Sequence, residues 1–274
     1  MPSFQVGNGI RRMHADAAAL VDALREIAYR AGGEILAVYA SDFAVRDKDD
    51  ASPVTEADTR AERVIVEGLA RCAPGIPVVA EESVAAGHVP EIDGGPFFLV
   101  DPLDGTREFV GRNGEFTVNI ALIEDGAPTV GVIHLPALGE TCWTAGDGTA
   151  WRVRDGGATE RIACRRPGRR IVAIASRSHR SPETDAYLRR FEIAETVSAG
   201  SSLKFCRIAE GAADLYPRLG RTMEWDIAAG HAIVTAAGGR VETLDGRPLL
   251  YGKPGFENPH FVVRGLPPEK EARP

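Results

Sequence analysis

A short apolar run that ends on two carboxylates constrains the fold of this chain more than any other stretch. Residues 97–100 have the sequence Phe-Phe-Leu-Val, which is typical of a buried strand. Asp101 and Asp104 follow three residues apart, and Pro102 and Gly105 favour a turn there. The two acids are therefore expected to converge at the end of a strand, where their charges repel unless a proton or a cation lies between them.

A hard divalent cation such as magnesium fits this turn because it prefers oxygen ligands. The carbonyl of Leu103 would add a ligand, and the backbone amides of Gly105 and Thr106 would donate to an anion. Carboxylates that hold a metal beside such amides indicate phosphate ester chemistry. The alternative is an ordinary Asp-Pro and Asp-Gly turn after a strand.

Composition excludes several classes of protein. The chain has 274 residues, of which 44% are hydrophobic and 26% charged, as in a soluble globular protein of one or two domains. Its formal charge of -7 argues against a nucleic-acid partner or broad binding to anionic membranes. Its four cysteines lie far apart without metal-ligand spacing, and no stretch predicts an integral membrane segment. We expect a cytoplasmic protein, and we leave peripheral membrane association and a homodimer open.

The hydrophobic pattern predicts two different halves. The first, residues 1–160, is expected to lay a helix pair against an antiparallel-rich sheet and to hold most of the metal ligands. The second, residues 161–274, alternates strands and helices, and the basic segment 161–170 is the candidate boundary. The helices of the first half are expected over residues 15–40 and after Asp58, and its hairpins at 116–135 and 140–154.

Two further acidic positions in the first half have structural alternatives. Residues 77–80 predict a short strand that ends at Glu81 and Glu82, so these acids are either exposed or share a metal with the central turn. Asp58 lies three residues after Thr55, which predicts a capping box. Because the start of a helix can also present an acid to a site, Asp58 is able to do both.

The second half contains one candidate acid and two candidate cations. Asp226 begins a helix, where it either complements the helix dipole or supplies a further metal ligand, with Glu224 as its competitor. Lys204 closes a Gly-Ser-Ser-Leu-Lys turn that either binds a phosphate or simply caps a helix. Arg218 is either a surface residue or grips a second phosphate. The segment 176–180 is interpreted as a polar loop.

Taken together, these residues resemble the inositol monophosphatase superfamily of magnesium phosphatases over roughly residues 15–263. The motifs occur in family order: Ser-Pro-Val-Thr-Glu-Ala-Asp at 52–58, Glu-Glu-Ser at 81–83, Asp-Pro-Leu-Asp-Gly-Thr at 101–106 and Glu-Trp-Asp-Ile-Ala-Ala-Gly at 224–230. The segments 200–206 and 216–218 look like the 3′(2′),5′-bisphosphate nucleotidase branch, since inositol-specific enzymes usually lack the lysine and have an acid near Arg218. The fold implied is an αβαβα sandwich, a layered α/β or α+β arrangement.

The resemblance implies roles for individual residues and two magnesium ions, with a third as an alternative. Those residues divide into three groups. The implied metal ligands are Glu81, Asp101, the Leu103 carbonyl, Asp104 and Asp226, and the implied catalytic residues are Asp58, Thr106 and Glu81. The implied substrate-binding residues are Glu81, Leu103, Asp104, Gly105, Thr106, Lys204, Arg218 and Asp226. Among them, Thr106 paired with Asp58 would activate water, while Lys204 and Arg218 would bind a 5′-phosphate.

The implied reaction is removal of the 3′-phosphate from adenosine 3′,5′-bisphosphate, a phosphorylated nucleotide formed as a by-product of sulfate assimilation, and from its sulfated precursor. Within the family, the alternatives are an inositol monophosphatase or a sugar bisphosphatase. A haloacid-dehalogenase phosphatase is disfavoured because its acids lie two residues apart rather than three. A binding module that has lost turnover is disfavoured because every candidate ligand is present.

Overall fold

Two long helices cover one face of the first sheet in the computed structural model, which describes residues 6–47, 53–177 and 181–267. Helix α1 spans Val6–Tyr39, and α2 spans Glu56–Cys72 after the short antiparallel pair β1 (Arg46–Asp47) and β2 (Pro53–Val54). Of the seven apolar positions that predict the first helix, Leu20 is half-buried and the other six are buried: Leu24, Ile27, Ala28, Ala31, Ile35 and Val38. The helix begins at Val6 rather than near residue 15, because a helix once nucleated extends through residues that only tolerate it.

Within the described ranges, the sheet beneath these helices has seven strands in the order β3-β4-β5-β6-β7-β8-β9. Only β3 and β4 are parallel; the other neighbours are antiparallel, which confirms the predicted hairpins. The strands are β3 (Val78–Ala80), β4 (Phe97–Asp104), β5 (Thr117–Glu124), β6 (Ala127–Leu135), β7 (Glu140–Thr144), β8 (Ala150–Arg154) and β9 (Glu160–Ile162). Two short helices interrupt them, α3 (Glu81–Ala85) and α4 (Thr106–Val110).

The second half forms a five-stranded sheet in the order β11-β10-β12-β14-β13. Its elements are β10 (Ile171–Ser176), α5 (Pro182–Leu188), β11 (Ile193–Ala199), α6 (Leu203–Ala209), β12 (Leu215–Arg218), α7 (Glu224–Ala236), β13 (Arg240–Thr243) and β14 (Phe261–Arg264). The sequence pattern predicts a helix over 181–191 and a strand over 196–198. Helix α5 ends earlier, at Leu188, and β11 is longer than predicted.

The helices and sheets stack in five layers. The α1 and α2 pair covers the first sheet, α6 and α7 fill the space between the two sheets, and α5 covers the outer face of the second. The apolar core between the sheets joins residues of both halves, such as Phe97, Ile133, Phe205 and Ile233. The αβαβα sandwich implied by the resemblance is thereby confirmed, whereas the division into two domains stays a prediction. No helix in the described ranges is long and apolar enough to cross a membrane.

A histidine marks the close contact between α1 and the first sheet. His134 on β6 is 4% exposed, and its Nδ1 lies 2.9 Å from Thr141 Oγ1. A Cβ added to Gly32 would come within 2.7 Å of the imidazole, so the glycine that weakens the helix is what lets it approach the strand. Burial lowers the pKa of His134 from 6.5 to about 4, although Asp155 partly opposes the shift.

Acidification is therefore expected to destabilise the fold through His134. The unfolded chain takes up the proton near pH 6.5, but the folded chain does so only near pH 4. The contribution of neutral His134 to the free energy of unfolding is complete above pH 6.5. It falls by about 3 kcal/mol as the pH drops from 6.5 to about 4. Urea unfolding of the wild type and His134→Gln should show a stability difference that shrinks on acidification. The exposed control His88→Gln should show no such trend, and a pH-independent difference for His134→Gln would contradict the prediction.

Candidate active site

The ends of the two parallel strands bring two predicted ligands side by side. Ala80 of β3 pairs in register with Val100 of β4, and each is followed directly by an acid, Glu81 at the start of α3 and Asp101 within β4. Asp101 is 2% exposed. This arrangement agrees with the prediction that both strands end on acids at one edge.

The sequence predicted a turn from Asp101 to Asp104, but the structure has none there. The segment continues β4, and the register with β5 shifts between these two residues. Such a bulge inserts extra backbone into one strand and re-aims its side chains. The two acids therefore lie on an irregular strand rather than in a turn, and the Leu103 amide donates to Asp101 Oδ1 at 3.0 Å.

Gly105 and Thr106 change the direction of the chain from β4 into α4. Gly105 has φ +91, a left-handed conformation that favours glycine. Thr106 then opens the helix, where the first amides have no intrahelical acceptor. Its Oγ1 lies 3.4 Å from Asp58 Oδ1 and 3.4 Å from the Leu103 carbonyl oxygen. The structure thus brings together a threonine and an aspartate that are 48 positions apart in the sequence.

Asp58 both caps its own helix and contacts Thr106. Its Oδ2 accepts hydrogen bonds from Thr55 N at 2.8 Å and from Thr55 Oγ1 at 2.9 Å, which completes the predicted capping box of α2. Its other oxygen faces Thr106. The cap holds the carboxylate in one orientation, because two donors fix one oxygen while the second remains directed at the hydroxyl.

A cavity of about 630 Å³ opens where the strand ends meet the second half of the chain. Seven of the predicted site residues line it: Glu81, Asp104, Gly105, Thr106, Lys204, Arg218 and Asp226. The other three, Asp58, Asp101 and Leu103, lie behind this wall, buried in α2 and β4. Residues from both halves of the sequence therefore meet around one space.

Burial disfavours the charged form of two carboxylates in this wall, Asp226 and Asp104. Burial, and then the neighbouring charges of Asp104 and Glu81, raise the pKa of Asp226 well above its usual value. Burial likewise raises the pKa of Asp104, while Lys204 acts in the opposite direction. Such a pair needs protons or cations to remain in place. The ligand atoms that these two carboxylates offer are oxygens, which hard divalent cations prefer.

The acids do not converge as ligands in their present orientations. Among the described residues, no group of three acidic, histidine or cysteine side chains stands close enough to hold one ion. The reason is local, because the carboxylates of Asp58, Asp101 and Asp226 accept hydrogen bonds from amides in their own turns; that of Asp226 accepts from Met223 N at 2.8 Å. The donor set fits a cation chemically, and the ligand assignments stay predictions.

Two cations share the cavity wall with the acids. Lys204, 4% exposed, donates from Nζ to the carbonyl oxygens of Ala199 and Ser201. Burial and then Arg218 lower the pKa of Lys204 to about 8, against the opposing effect of Asp104. Arg218 is 9% exposed, and its Nε is buried without a hydrogen-bond partner among the residues that the structure describes. An orphaned guanidinium nitrogen beside a cavity is suited to an oxyanion.

The surroundings of Glu224 and Asp226 show which of the two acids lies in the cavity wall. The carboxylate of Glu224 is fully buried, accepts hydrogen bonds from the amides of Gly252 and Lys253, and lies 2.6 Å from Lys253 Nζ. It anchors the start of α7, which leaves Asp226 as the acid of that helix in the cavity wall. Glu82 is not part of the wall in the described structure. Of the predicted loop 176–180, residues 178–180 lie outside the described residues.

Sequence reasoning missed three polar residues that support the wall. Asn119 Nδ2 donates to Ser202 Oγ at 3.0 Å and lies 3.4 Å from Asp104 Oδ2, and Thr117 Oγ1 is at the same distance from that carboxylate oxygen. Ser202 in turn donates to the Asp226 carbonyl at 2.6 Å. A signal was present, because Thr117 and Asn119 are polar residues two apart in an otherwise apolar strand and therefore face one side of the sheet.

Comparisons with known proteins agree on one family. The model of the inositol monophosphatase family matches residues 16–269. A curated relative from Salmonella typhimurium, 3′(2′),5′-bisphosphate nucleotidase CysQ, is 45% identical over 89% of this chain and 99% of its own length. The crystal structure of CysQ from Bacteroides thetaiotaomicron has a TM-score of 0.75 at 36% identity and covers 90% of this chain and 97% of its own. The extragenic suppressor protein suhB from Bartonella henselae has a TM-score of 0.69 at 25% identity, covering 90% and 94%.

Proposed function

The chain belongs to the inositol monophosphatase family, and from that premise we propose that it is a magnesium-dependent 3′(2′),5′-bisphosphate nucleotidase. It removes the 3′-phosphate of adenosine 3′,5′-bisphosphate to give AMP and phosphate, and it acts also on 3′-phosphoadenylyl sulfate. The resemblance read from the motifs, including the bisphosphate nucleotidase branch and the hydrolase class, is confirmed by the family match and the CysQ relatives. A cytoplasmic location and a homodimer stay predictions.

The observation that supports this substrate is the pair of buried cations in the same cavity as the acids. Lys204 and Arg218 line the wall together with Asp104 and Asp226. A substrate with a single phosphate over the acidic edge would leave both cations unused. A second phosphate satisfies them, and the Nε of Arg218 offers a free donor for it among the described residues.

The acidic edge would hold magnesium. Glu81, Asp101, Asp104, Asp226 and the Leu103 carbonyl are the oxygen ligands, for two ions with a third as an alternative. When bound, the ions would supply a water of lowered pKa and stabilise negative charge on the leaving ribose oxygen.

The residues of the chain itself would then orient the reactants. The hydroxyl of Thr106 donates a hydrogen bond to Asp58 Oδ1, which leaves the hydroxyl oxygen to accept one from the attacking water. As the water attacks, its proton would pass to the Thr106 oxygen while the Thr106 proton passes to Asp58, whose carboxylate is held in place by the two hydrogen bonds from Thr55 to Oδ2. The amides of Gly105 and Thr106, at the start of α4, would bind oxygens of the scissile phosphate.

The substitution Arg218→Met tests whether Arg218 binds the 5′-phosphate of the substrate. It should lower kcat/KM for adenosine 3′,5′-bisphosphate by about 100-fold, because a buried charge-assisted contact is lost. For adenosine 3′-monophosphate, which lacks the 5′-phosphate, the change should be no more than about threefold, since that contact is never made. Phosphate release measures both, with the exposed Arg247→Met as the matched control. Equal losses on the two substrates would contradict the role given to Arg218.

A further inference from the structure

A buried glutamate on α2 lies against the segment that follows Glu81. Glu62 is 7% exposed. Its Oε2 accepts a hydrogen bond from Glu82 N at 2.7 Å, and its Oε1 accepts from Ser83 N at 2.9 Å and from Ser83 Oγ at 2.6 Å. The carboxylate is thus tied by three bonds to two consecutive residues of α3.

These bonds supply what α3 lacks locally. The helix has Ala80 at its N-cap, which makes no side-chain capping bond, and none of its five residues is fully buried. Its first amides would therefore have no intrahelical acceptor, and the half-buried Val84 is its contact with the apolar core in the described structure. A carboxylate acceptor from another helix makes shorter and stronger bonds to these amides than a neutral group would.

Glu62 also lies one helical turn after Asp58 on the same face of α2. Asp58 contacts Thr106, whereas Glu62 holds the segment that begins with Glu81. One rigid helix therefore contacts both sides of the acidic edge. A shift of α3 would move Glu81 relative to Asp101 even though the amino acids that line the cavity stay the same.

We propose that Glu62 is a positioning residue that fixes Glu81 in the orientation needed to hold a divalent cation. The inference rests on the proposed function, since Glu81 is a ligand only there. Glu62 itself touches neither the substrate nor the cation. Its effect passes through the backbone of Glu82 and Ser83.

The test is Glu62→Gln, which keeps the shape but replaces one acceptor oxygen with a donor that faces a donor amide. Binding of Mn²⁺ to the full chain without substrate, measured by electron paramagnetic resonance, should weaken by about 10-fold. The KM for adenosine 3′,5′-bisphosphate at saturating metal should stay at its wild-type value. The matched control Glu67→Gln, an exposed residue of the same helix, should bind Mn²⁺ as the wild type does.

A double-mutant cycle separates positioning from a general loss of structure. In a Glu81→Gln background, Glu62→Gln should weaken Mn²⁺ binding no further, because its effect acts through the lost ligand. Additive losses would overturn the inference, as would wild-type affinity in Glu62→Gln. If Glu62→Gln does not fold, Ser83→Ala decides, since it removes one of the three bonds and should weaken binding by about threefold; unchanged affinity there overturns the inference. A wild-type chain that binds no Mn²⁺ would instead refute the proposed function.

Discussion

Replacing Asp101 with asparagine is expected to lower kcat by about a thousandfold, because a metal site of this kind supplies several kcal/mol of charge stabilisation. Asparagine has nearly the same shape and can still accept the Leu103 amide bond, so β4 should keep its bulge. It lacks the negative charge that would bind a cation beside Glu81. The expected result is a folded chain that neither binds Mn²⁺ tightly nor turns over.

Phosphate release, Mn²⁺ binding and urea unfolding of Asp101→Asn together check this prediction. The matched control is Asp93→Asn, an exposed residue in the loop before β4, which should leave all three unchanged. Activity of Asp101→Asn within about tenfold of the wild type would remove this carboxylate from the site, since several kcal/mol would then be missing.

Replacing Thr106 with valine is the second substitution with a large expected effect. Valine keeps the branched shape and loses only the hydroxyl that lies 3.4 Å from Asp58. A lost proton-transfer partner costs about 100-fold to 10,000-fold in kcat, and we expect a loss near the middle of that range. Thr106→Ser, which retains the hydroxyl, should keep kcat within about tenfold of the wild type.

The comparison between these two variants decides the role of the hydroxyl. Both should bind Mn²⁺ more tightly than Asp101→Asn, because the carboxylates are unchanged. If Thr106→Val and Thr106→Ser lose activity equally, the side chain acts by its packing and the water is oriented by another group.

Local sequence patterns predicted the parts of the fold that depend on local physics. The capping box of α2 follows from Thr55 and Asp58 alone, and the neighbouring positions of Glu81 and Asp101 follow from two short apolar runs. The hairpins follow from turn residues such as Gly126. In each case, residues within a few positions of one another determine the outcome.

The features that were missed depend on contacts between distant residues. The bond from Ser83 to Glu62 joins positions 21 apart, and Glu224 meets Gly252 across 28 positions. The spacing of residues in the sequence gives no indication of such a contact. The sequence alone therefore could not decide whether Glu224 or Asp226 lies in the cavity wall. The start of α3 at Glu81 was missed for a similar reason, because its first amides are satisfied by a carboxylate from another helix.

The irregular strand at Asp101 shows a different limit. Pro102 and Gly105 are turn residues by composition, yet pairing with β5 keeps the chain extended through Asp104. Tertiary pairing therefore overrides the local preference. Seven of the ten predicted site residues still line one cavity, although the predicted turn was wrong.

The most direct test of the account is phosphate release from adenosine 3′,5′-bisphosphate, inositol 1-phosphate and fructose 1,6-bisphosphate, each with magnesium and with EDTA. We expect kcat/KM for the nucleotide to exceed the other two by at least about 100-fold, with AMP as its product and no turnover in EDTA. Equal or faster turnover of inositol 1-phosphate, or a rate that EDTA leaves unchanged, would contradict it.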